Sequence, residues 1–331
     1  MNIGKSDTRT IVTKTVAIVL AALLLLSLGL FFVEIWEKKH SIYPENKKEL
    51  SETLSYNGQN YVLKDQIETV LILGLDTFQS EDSDSYNNDK QADFLLLLVI
   101  DNAEKTCRAI HVNRDAMAEM NILGVAGDKV GTVVKQIALS HTYGNGREVS
   151  CRNAANAVSK LLMGVEIDHY VSVTMDAVPV YNDLVGGVTL EILDDFTGID
   201  ASMVQGKSVT LKGEQALFYV RSRYGLDDPT NNHRMQRQRQ YLDALIAQSR
   251  QKAAEEDSFI SRAALKMTDY IVSDCSGNKL ESLLQKVSVY DLDTILDLRG
   301  ETIMGEEFLE FYPEENSVKE VVIDCFYERE D

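Results

Sequence analysis

The sequence predicts an α/β protein: a three-layer α-β-α sandwich around a mostly parallel or mixed central sheet, preceded by one N-terminal transmembrane helix. Strand and helix patterns alternate from Ile67 to about residue 254, which is typical of layered α/β domains. The run DFLLLLVID is apolar on both faces, as in strands covered on both sides. Residues 16–33 carry no charge and reach the length of about 18 apolar residues that spans a bilayer.

Three basic residues, Lys5, Arg9 and Lys14, precede this apolar run against one acid, Asp7. The bias predicts a cytoplasmic tail over residues 1–15, a membrane anchor over 16–33, and an extracytoplasmic position for the rest of a single-pass cell-membrane protein. A cleaved signal peptide is the alternative. It is disfavoured because the run exceeds the roughly 7–15 residues of a signal h-region and no small-residue cleavage site follows. Residues 34–66 are polar and mixed in charge, and we expect an extracellular stalk there.

The chain is acidic, with 52 aspartates and glutamates against 33 lysines and arginines and a net charge of -19. Such a surface repels phosphates in bulk, and no helix-turn-helix or zinc-finger spacing occurs, so no nucleic-acid partner is expected. The four cysteines form no CxxC pair. Two disulfides of unknown connectivity and free buried thiols both remain open for them.

The elements of the domain follow one another from Ile67. ETVLILGLD is an apolar strand, DFLLLLVID and CRAIHVNRD are the next two, and NAANAVSKLLMG is an amphipathic helix that stops at glycine. Then come a strand HYVSVTM, a helix AVPVYNDLV, a strand VTLEIL, a helix and strand within GEQALFYVRSR, and a long helix from about Arg234 to Ala254. Residues 67–254 are therefore assigned to one domain. Residues 255–331 are acidic and mostly helical, DLDTILDL included, with a final strand near VKEVVID, and are expected to pack on the core.

Charged residues stand at the ends of the first three strands. Asp76 ends one strand and Asp93 begins the next, and ligands gather at strand ends in α/β sheets. Two acids there can hold one hard cation, or each can merely cap its strand. Arg114 and Asp115 end the third strand, where a solvated ion pair is the alternative to a ligand site. His111 alternates with the apolar residues of that strand and is expected to face a polar cleft.

A short segment of this acidic chain holds five arginines and no lysine: Arg221, Arg223, Arg234, Arg237 and Arg239. Arginine grips phosphate oxygens two at a time, which lysine cannot do. If FYVRSR ends a strand, the first two arginines share one face, and Gln238 recurs with Arg234 at helical spacing on the next helix. The segment is either an anion site or a set of solvated arginines paired with nearby acids.

The motifs of serine hydrolases, P-loop nucleotide-binding proteins and zinc proteases do not occur.

The order of these motifs resembles the LytR–CpsA–Psr family of cell-envelope phosphotransferases. The resemblance covers roughly Ile67 to Arg250 and rests on the anchor, GLD, an acid at the opening of the second strand, Arg-Asp after the third, DLVGGV, LKGEQAL, RSR and RMQRQRQ. It implies that residues 67–254 are the catalytic-type domain of this family. It also implies transfer of a teichoic acid-like or capsular glycopolymer from a polyprenyl-pyrophosphate carrier to peptidoglycan, with release of polyprenyl phosphate.

The resemblance also implies roles for individual residues. Asp76 and Asp93 correspond to acids associated with Mg²⁺. The implied catalytic residues are Asp76, Asp93, Arg114 and Asp115, and the implied pyrophosphate-binding residues are Arg114, Arg221, Arg223, Arg234 and Gln238. An apolar channel between sheet and helices is expected to take the lipid tail.

The chain departs from the family pattern at four positions. Gln91 replaces the arginine of Arg-x-Asp-Thr, Asn113 replaces a proline, Asn231 an acid and His233 a glycine. Arg147 and Lys135 are candidates to replace the lost arginine. The departures keep a second hypothesis open, a weakly active or non-catalytic member that binds lipid pyrophosphate or acts as a scaffold. A transcriptional regulator is a third, which the outward topology and acidic charge disfavour.

Overall fold

The computed structural model describes residues 50–76, 90–222 and 231–330. Its strands are β1 (Thr53–Tyr56), β2 (Gln59–Leu63), β3 (Ile67–Leu75), β4 (Ala92–Asp101), β5 (Thr106–Val112), β6 (Met117–Leu123), β7 (Lys129–Gln136), β8 (His169–Thr174), β9 (Val188–Glu191), β10 (Ser208–Leu211), β11 (Ile271–Ser273), β12 (Asp291–Asp297), β13 (Gly300–Met304), β14 (Leu309–Pro313) and β15 (Tyr327–Arg329). Its α-helices are α1 (Glu148–Leu161), α2 (Ala177–Leu184), α3 (Glu214–Arg221), α4 (Asn231–Glu255), α5 (Phe259–Met267), α6 (Gly277–Val289) and α7 (Glu315–Phe326).

The apolar strands β3, β4 and β5 lie inside a six-stranded sheet with the order β11-β8-β3-β4-β5-β12. β4 pairs antiparallel with both β3 and β5, and β11 pairs antiparallel with β8. β8 runs parallel to β3, and β12 runs parallel to β5. The central sheet is therefore mixed, which confirms the predicted α/β class. β3 and β4 are apolar on both faces because each face of the sheet is covered.

Helices cover the two faces and make the three layers. On one face, Leu71 of β3 shares a core cluster with Val158 of α1 and Val322 of α7. On the other face, Leu96 of β4 shares a cluster with Leu283 of α6. Each buried leucine side chain contributes about 1.5–3 kcal/mol through removal of apolar surface from water. A further cluster joins α2, α3, α4 and α5 to the small β9–β10 sheet, above the second face.

The strand predicted at the end of GEQALFYVRSR is wrong. These residues form α3, which ends at Arg221, and Ser222 is extended. The reason is the spacing of the buried side chains. Val220 follows Leu217 by three residues and Ala216 by four, which is the period of a helix face and not of a strand. Arg221 therefore projects from the last turn of a helix, and Arg223 lies outside the described residues.

Two predictions for the C-terminal segment are also wrong. VKEVVID belongs to α7, because Val318, Val322 and Cys325 are buried at helical spacing. DLDTILDL forms β12, which lies parallel to β5 with Ile295 buried in the core. The two apolar–polar patterns are short, and in each the packing partner decides between helix and strand.

Among the described residues, strand pairing crosses the predicted boundaries at residues 66 and 254. β1 and β2, inside the segment expected to be a stalk, form a three-stranded sheet with β15. The C-terminal segment is more than a covering layer, because it supplies both edge strands of the central sheet, β11 and β12. Early and late segments are thus joined in one fold.

The membrane anchor predicted over residues 16–33 lies outside the described residues, as does the tail before it. Among residues 50–76, 90–222 and 231–330, no helix combines the length and the hydropathy needed to cross a bilayer.

All four cysteines are free thiols. Burial raises the pKa of Cys107 to about 11 and the pKa values of Cys151 and Cys325 to about 12. These three thiols are therefore protonated at neutral pH and unreactive. Of the two possibilities left open for the cysteines, the structure has the buried free thiols, with Cys275 half-buried.

Candidate active site

A β-bulge places Asp93 at the end of the central sheet. Gly74 pairs with Phe94 and Leu75 pairs with Ala92, so Asp93 is the extra residue on β4. A bulge bends its strand and re-aims the extra side chain. The carboxylate of Asp93 is thereby directed to the guanidinium of Arg114, with which it forms an ion pair.

Arg114 follows β5 and is held by side chains from two neighbouring segments. Its two terminal nitrogens donate hydrogen bonds to Asp93 Oδ1 and to Gln91 Oε1. Its Nε lies 3.5 Å from Asp115 Oδ1, and Asp115 in turn accepts a hydrogen bond of 3.2 Å from Gln136. The Arg114 side chain is 9% exposed, so these partners hold it in a largely buried position.

A second ion pair lies at the end of β3. Asp76 directly follows β3, and its Oδ2 accepts a hydrogen bond of 3.0 Å from Arg221 Nη2 at the end of α3. The side chains of Asp76 and Arg221 are 30% and 53% exposed. An exposed pair of this kind contributes about 0–1 kcal/mol, so its partners can be exchanged at little cost.

The N-terminal part of α4 brings further polar groups to the same end of the sheet. Asn231 donates a hydrogen bond of 2.7 Å to Asn113 Oδ1, which ties the start of α4 to the end of β5. Gln238 donates one of 3.1 Å to the carbonyl oxygen of Val220, which ties α4 to the end of α3. Arg234 lies between these two anchor points on α4 and is buried.

His111 lies beside this group as a buried neutral imidazole. Its ring centroid is 4.8 Å from that of Phe94. Burial, followed by the charges of Arg239 and Arg234, lowers the pKa of His111 to about 3. Strand alternation pointed to His111, and the structure buries it beneath the cluster instead of exposing it in a cleft.

Two of the five arginines have structural partners, which sequence spacing did not reveal. Arg237 is buried, ion-pairs with Asp194, and donates hydrogen bonds to the carbonyl oxygens of Tyr219 and Ser222. It therefore fixes the end of α3, from which Arg221 projects. Arg239 forms an ion pair with Asp297 of β12.

An apolar cavity of about 420 Å³ opens beneath the polar cluster, between the sheet and the helices α2, α4, α5 and α6. Sheet residues Gly74 and Phe94 and helix residues Leu242 and Ile246 line it, and Gln238 lies in its wall. Gly74 allows the close approach of the two strands here, since a Cβ at this position would be 2.8 Å from the Phe94 Cβ. The cavity matches the apolar channel expected between sheet and helices.

Two departures from the family pattern contact each other directly. Asn113 Oδ1 accepts hydrogen bonds from the side chain of Asn231 and, at 3.0 Å, from the backbone N–H of Asp115. A third departure, Gln91, is the hydrogen-bond acceptor that holds Arg114. Gln91 thus ties the start of β4 to Arg114, and the separate bond between Asn113 and Asn231 ties the end of β5 to α4.

The remaining departure, His233, lies on α4, and the two candidate replacement cations are carried on other elements. His233 Nδ1 is 3.4 Å from Asp194 Oδ1, the acid that also holds Arg237. Arg147 precedes α1 and lies 3.9 Å from Glu148. Lys135 is an exposed residue of β7.

The structure thus brings Asp93, Arg114 and Asp115 together at one end of the sheet and pairs Asp76 with Arg221 at the end of the neighbouring strand. Asp76 follows β3, and Asp93 lies at the start of the adjacent strand β4. Their side chains are 30% and 18% exposed, respectively. Hard carboxylate oxygens that solvent can reach are ligands of the type Mg²⁺ uses, and one or two carboxylates suffice when phosphates complete its shell. The donor set fits the ion.

Comparison with known proteins relates this geometry to a family. The model of the LytR_cpsA_psr family matches residues 30–310. TagU of Halalkalibacterium halodurans, a polyisoprenyl-teichoic acid–peptidoglycan teichoic acid transferase, is 28% identical over 184 residues, covering 55% of this chain and 53% of that protein. The chain thus spans about half the length of this relative.

TagV of Bacillus subtilis, which has the same enzyme name, is 24% identical over 305 residues, covering 89% of this chain and 73% of the relative. The crystal structure of B. subtilis TagV aligns with a TM-score of 0.60 at 22% identity, covering 80% of this chain and 97% of that one. At this identity, the structural similarity supports the mixed α/β fold alone.

Proposed function

Because the chain belongs to the LytR–CpsA–Psr family, we propose that it is an extracytoplasmic phosphotransferase that attaches a glycopolymer to peptidoglycan. The donor is a polymer carried on polyprenyl pyrophosphate, and the second product is polyprenyl phosphate. The names of TagU and TagV describe teichoic acid transfer to peptidoglycan, which supports this class of substrate. The anchor predicted over residues 16–33 would keep the domain beside a membrane-bound donor.

One observation carries the proposal: arginines and aspartates from distant segments lie at one end of the sheet, next to an apolar cavity. Arg114 and Arg221 are brought there by β5 and α3, and Gln238 both contacts the end of α3 and lines the cavity. A lipid pyrophosphate has this same division, a doubly charged headgroup on an apolar chain. The cavity suits the first isoprene units, and the arginines suit the phosphates.

In the proposed reaction, a sugar hydroxyl of peptidoglycan attacks the phosphorus atom that bears the glycopolymer. A new P–O bond forms, the bond to the bridging pyrophosphate oxygen breaks, and polyprenyl phosphate leaves with the bond's electron pair. The hydroxyl proton passes to solvent or to the leaving phosphate. Phosphoryl transfer of this type depends mainly on positioning and on charge neutralisation at the phosphate oxygens. Arg114, Arg221 and Arg234 supply that charge.

The two ion pairs suggest how the protein exchanges charges when the donor binds. Without an anion, Asp93 and Asp76 neutralise Arg114 and Arg221. When a pyrophosphate arrives, Arg221 exchanges Asp76 for its oxygens, and Arg114 gives up its hydrogen bond to Asp93 without leaving its position, so the two carboxylates become available for a cation. Asp76 and Asp93 would then hold Mg²⁺, which neutralises charge on the pyrophosphate. Asp115 acts by orienting Arg114 through the contact at 3.5 Å.

The amide side chains of Gln91, Asn113 and Asn231 take part in the polar cluster under both the transferase and the binding hypothesis. Gln91 holds Arg114, and the hydrogen bond between Asn113 and Asn231 joins β5 to α4. The departures therefore keep the cluster connected, although one positive charge is lost at position 91. A binding-only protein would use the same contacts, so only the products separate the two hypotheses.

The test is a reaction of the purified full-length chain with a lipid-pyrophosphate-linked glycopolymer, a peptidoglycan oligomer and Mg²⁺, in which released polyprenyl phosphate is measured. We expect release with Mg²⁺ and its loss on chelation. Asp76→Asn is expected to lower the rate by about 10²–10³-fold, as for removal of other groups that stabilise transition-state charge. Asp291→Asn, which changes an exposed acid at the start of β12, is the matched control and should leave the rate unchanged. Tight binding of the donor with no polyprenyl phosphate released would reject the transferase in favour of a binding protein.

A further inference from the structure

A second cluster of potential ligands lies at the opposite end of the central sheet. His169 is the first residue of β8, and Asp274 and Cys275 directly follow β11, the neighbouring strand. In the described ranges these three form the one group of three or more histidine, cysteine or acidic side chains whose ligand atoms all lie within 4.8 Å of one another. His169 pairs with Val70, five residues before Leu75, so the cluster is about 17 Å along the sheet from the end that carries Asp76.

Hydrogen bonds between the turn after β11 and the backbone of β8 hold this cluster in place in the absence of an ion. The Tyr170 N–H donates to Asp274 Oδ1 at 3.1 Å. Ser273 Oγ donates to the Tyr170 carbonyl oxygen at 2.7 Å and accepts the N–H of Cys275 at 3.0 Å. The turn after β11 is therefore fixed against β8, and the three side chains are presented together before any ion binds.

The spacing of the ligand atoms is close to that of a tetrahedral metal site. His169 Nδ1 lies 3.6 Å from Asp274 Oδ1, and Cys275 Sγ lies 3.9 Å from the same oxygen. With ordinary zinc bond lengths, the tetrahedral edges are about 3.4 Å for nitrogen to oxygen and about 3.6 Å for sulfur to oxygen. Side-chain shifts of a few tenths of an ångström would bring both observed distances to these tetrahedral values.

The charges around the cluster also suit a cation. The second ring nitrogen of His169 lies 4.0 Å from Glu68 Oε1, and a carboxylate in that position is the usual outer partner of a metal-bound imidazole. Lys279 and Lys286 of α6 pair with Glu68. This pairing leaves the Asp274 carboxylate as the anionic group that would face the ion, together with the neutral thiol of Cys275.

Cys275 stands directly before Ser276, the residue that caps the start of α6, and a helix start favours a thiolate. Burial is the largest influence on the thiol and raises its pKa. An ion must therefore displace the thiol proton into solvent, which is the usual cost of thiolate coordination.

We propose that His169, Asp274 and Cys275 bind one transition-metal ion of the Zn²⁺ type, with water in the fourth position. Imidazole and thiolate ligands select such ions over Mg²⁺, which prefers oxygen alone. The ion would clamp β8 to β11 and to the start of α6, and so would join the C-terminal segment to the middle of the sheet. The site uses none of the residues assigned to phosphotransfer, so it stands or falls independently of that function.

The test is a titration of the metal-free full-length chain with Co²⁺, which reports a bound thiolate by a near-ultraviolet charge-transfer band and tetrahedral geometry by visible d–d bands. We expect a band that saturates at one equivalent of Co²⁺ and is displaced by Zn²⁺. Cys275→Ser should abolish the charge-transfer band. His169→Gln, which keeps the thiol, should weaken binding by at least about tenfold, since loss of even an outer partner costs 10–100-fold.

The matched control is Asp269→Asn, which removes an exposed acid shortly before the cluster and should leave the titration unchanged. Circular dichroism of each variant establishes that it is folded. Absence of a saturable band in the wild-type chain, or equal Co²⁺ affinity in His169→Gln and wild type, would overturn the proposal. Zn²⁺ should also raise the melting temperature of the wild type and leave that of Cys275→Ser unchanged.

Discussion

At the scale of single residues, Arg114 shows how the candidate site is assembled. Its guanidinium is oriented by Asp93 from the β-bulge, by Gln91 just before β4, and by Asp115 next to it. Arg114 keeps its fork in one orientation because these acceptors are fixed in turn by the sheet. A group positioned before the substrate arrives loses little conformational entropy on binding.

His111 gives a prediction about stability at this scale. Its folded-state pKa is lowered to about 3 from 6.5. Below about pH 6.5 the unfolded chain binds a proton at this residue and the folded chain does not, so the free energy of unfolding falls as the pH falls. Between pH 6.5 and about pH 5.0, where most carboxylates remain ionised, this linkage amounts to roughly 1–2 kcal/mol. Urea unfolding of the wild type and of His111→Leu over that range measures it.

In His111→Leu, the free energy of unfolding should lose this part of its pH dependence. It should keep the part due to His141, because burial lowers the pKa of His141 to about 4. Parallel pH profiles for the two proteins would mean that His111 does not stay neutral in the folded chain. The experiment needs no substrate, and so it tests the electrostatics of the cluster separately from its function.

Sequence reasoning identified some of these residues and not others, for a physical reason. Asp76, Asp93 and Arg114 could be placed at strand ends because apolar runs define where strands stop. The five arginines of one segment could not be told apart, because their side chains are chemically the same. Arg237 is structural only because Asp194, 43 residues away in sequence, is folded against it, and spacing does not reveal such a partner.

At the scale of elements, α3 and α4 decide the shape of the site. α3 is a helix to its last residue, Arg221, so this arginine is carried on a helix end that Arg237 ties down. α4 begins against Asn113 and then forms one wall of the cavity. The same helix therefore supplies polar contacts at its start and an apolar wall further along, which matches a ligand with a charged head and an apolar tail.

The cavity yields a prediction at this scale. Ile246→Trp adds an aromatic ring to the α4 wall and should weaken binding of a polyprenyl pyrophosphate by tenfold or more, because the lipid must compete for the filled space. Binding of inorganic pyrophosphate, which has no tail, should be unchanged. Ala247→Trp places the same ring on the exposed side of the helix and is the matched control. Equal lipid affinity for the two tryptophan variants would show that the tail binds elsewhere.

At the scale of the whole molecule, the fold is closed by its C-terminal segment. The sequence predicted the layered α/β class correctly, since alternating elements and apolar central strands depend on local pattern. It missed the edge strands β11 and β12, which are short and gain their stability from pairing with β8 and β5. The mixed sheet also depends on strand order, which periodicity does not encode.

This architecture brings distant parts of the chain to one place. Arg114 follows β5, Arg221 ends α3, and Arg234 lies in α4, and the hydrogen bonds of Asn231 and Gln238 join these segments. The central claim is that the three guanidinium groups bind a single pyrophosphate at the entrance of the cavity. Each charge-assisted contact of this kind is worth about 1.5–3 kcal/mol.

The most direct test is the dissociation constant of a polyprenyl pyrophosphate, with Mg²⁺ present, for Arg114→Lys, Arg221→Lys and Arg234→Lys. Lysine keeps the charge and loses the fork, so each variant should bind about 10–100-fold more weakly, while Arg299→Lys, which changes an exposed arginine paired with Glu320 of α7, should bind as the wild type does. Wild-type affinity in all three variants would contradict a shared pyrophosphate site.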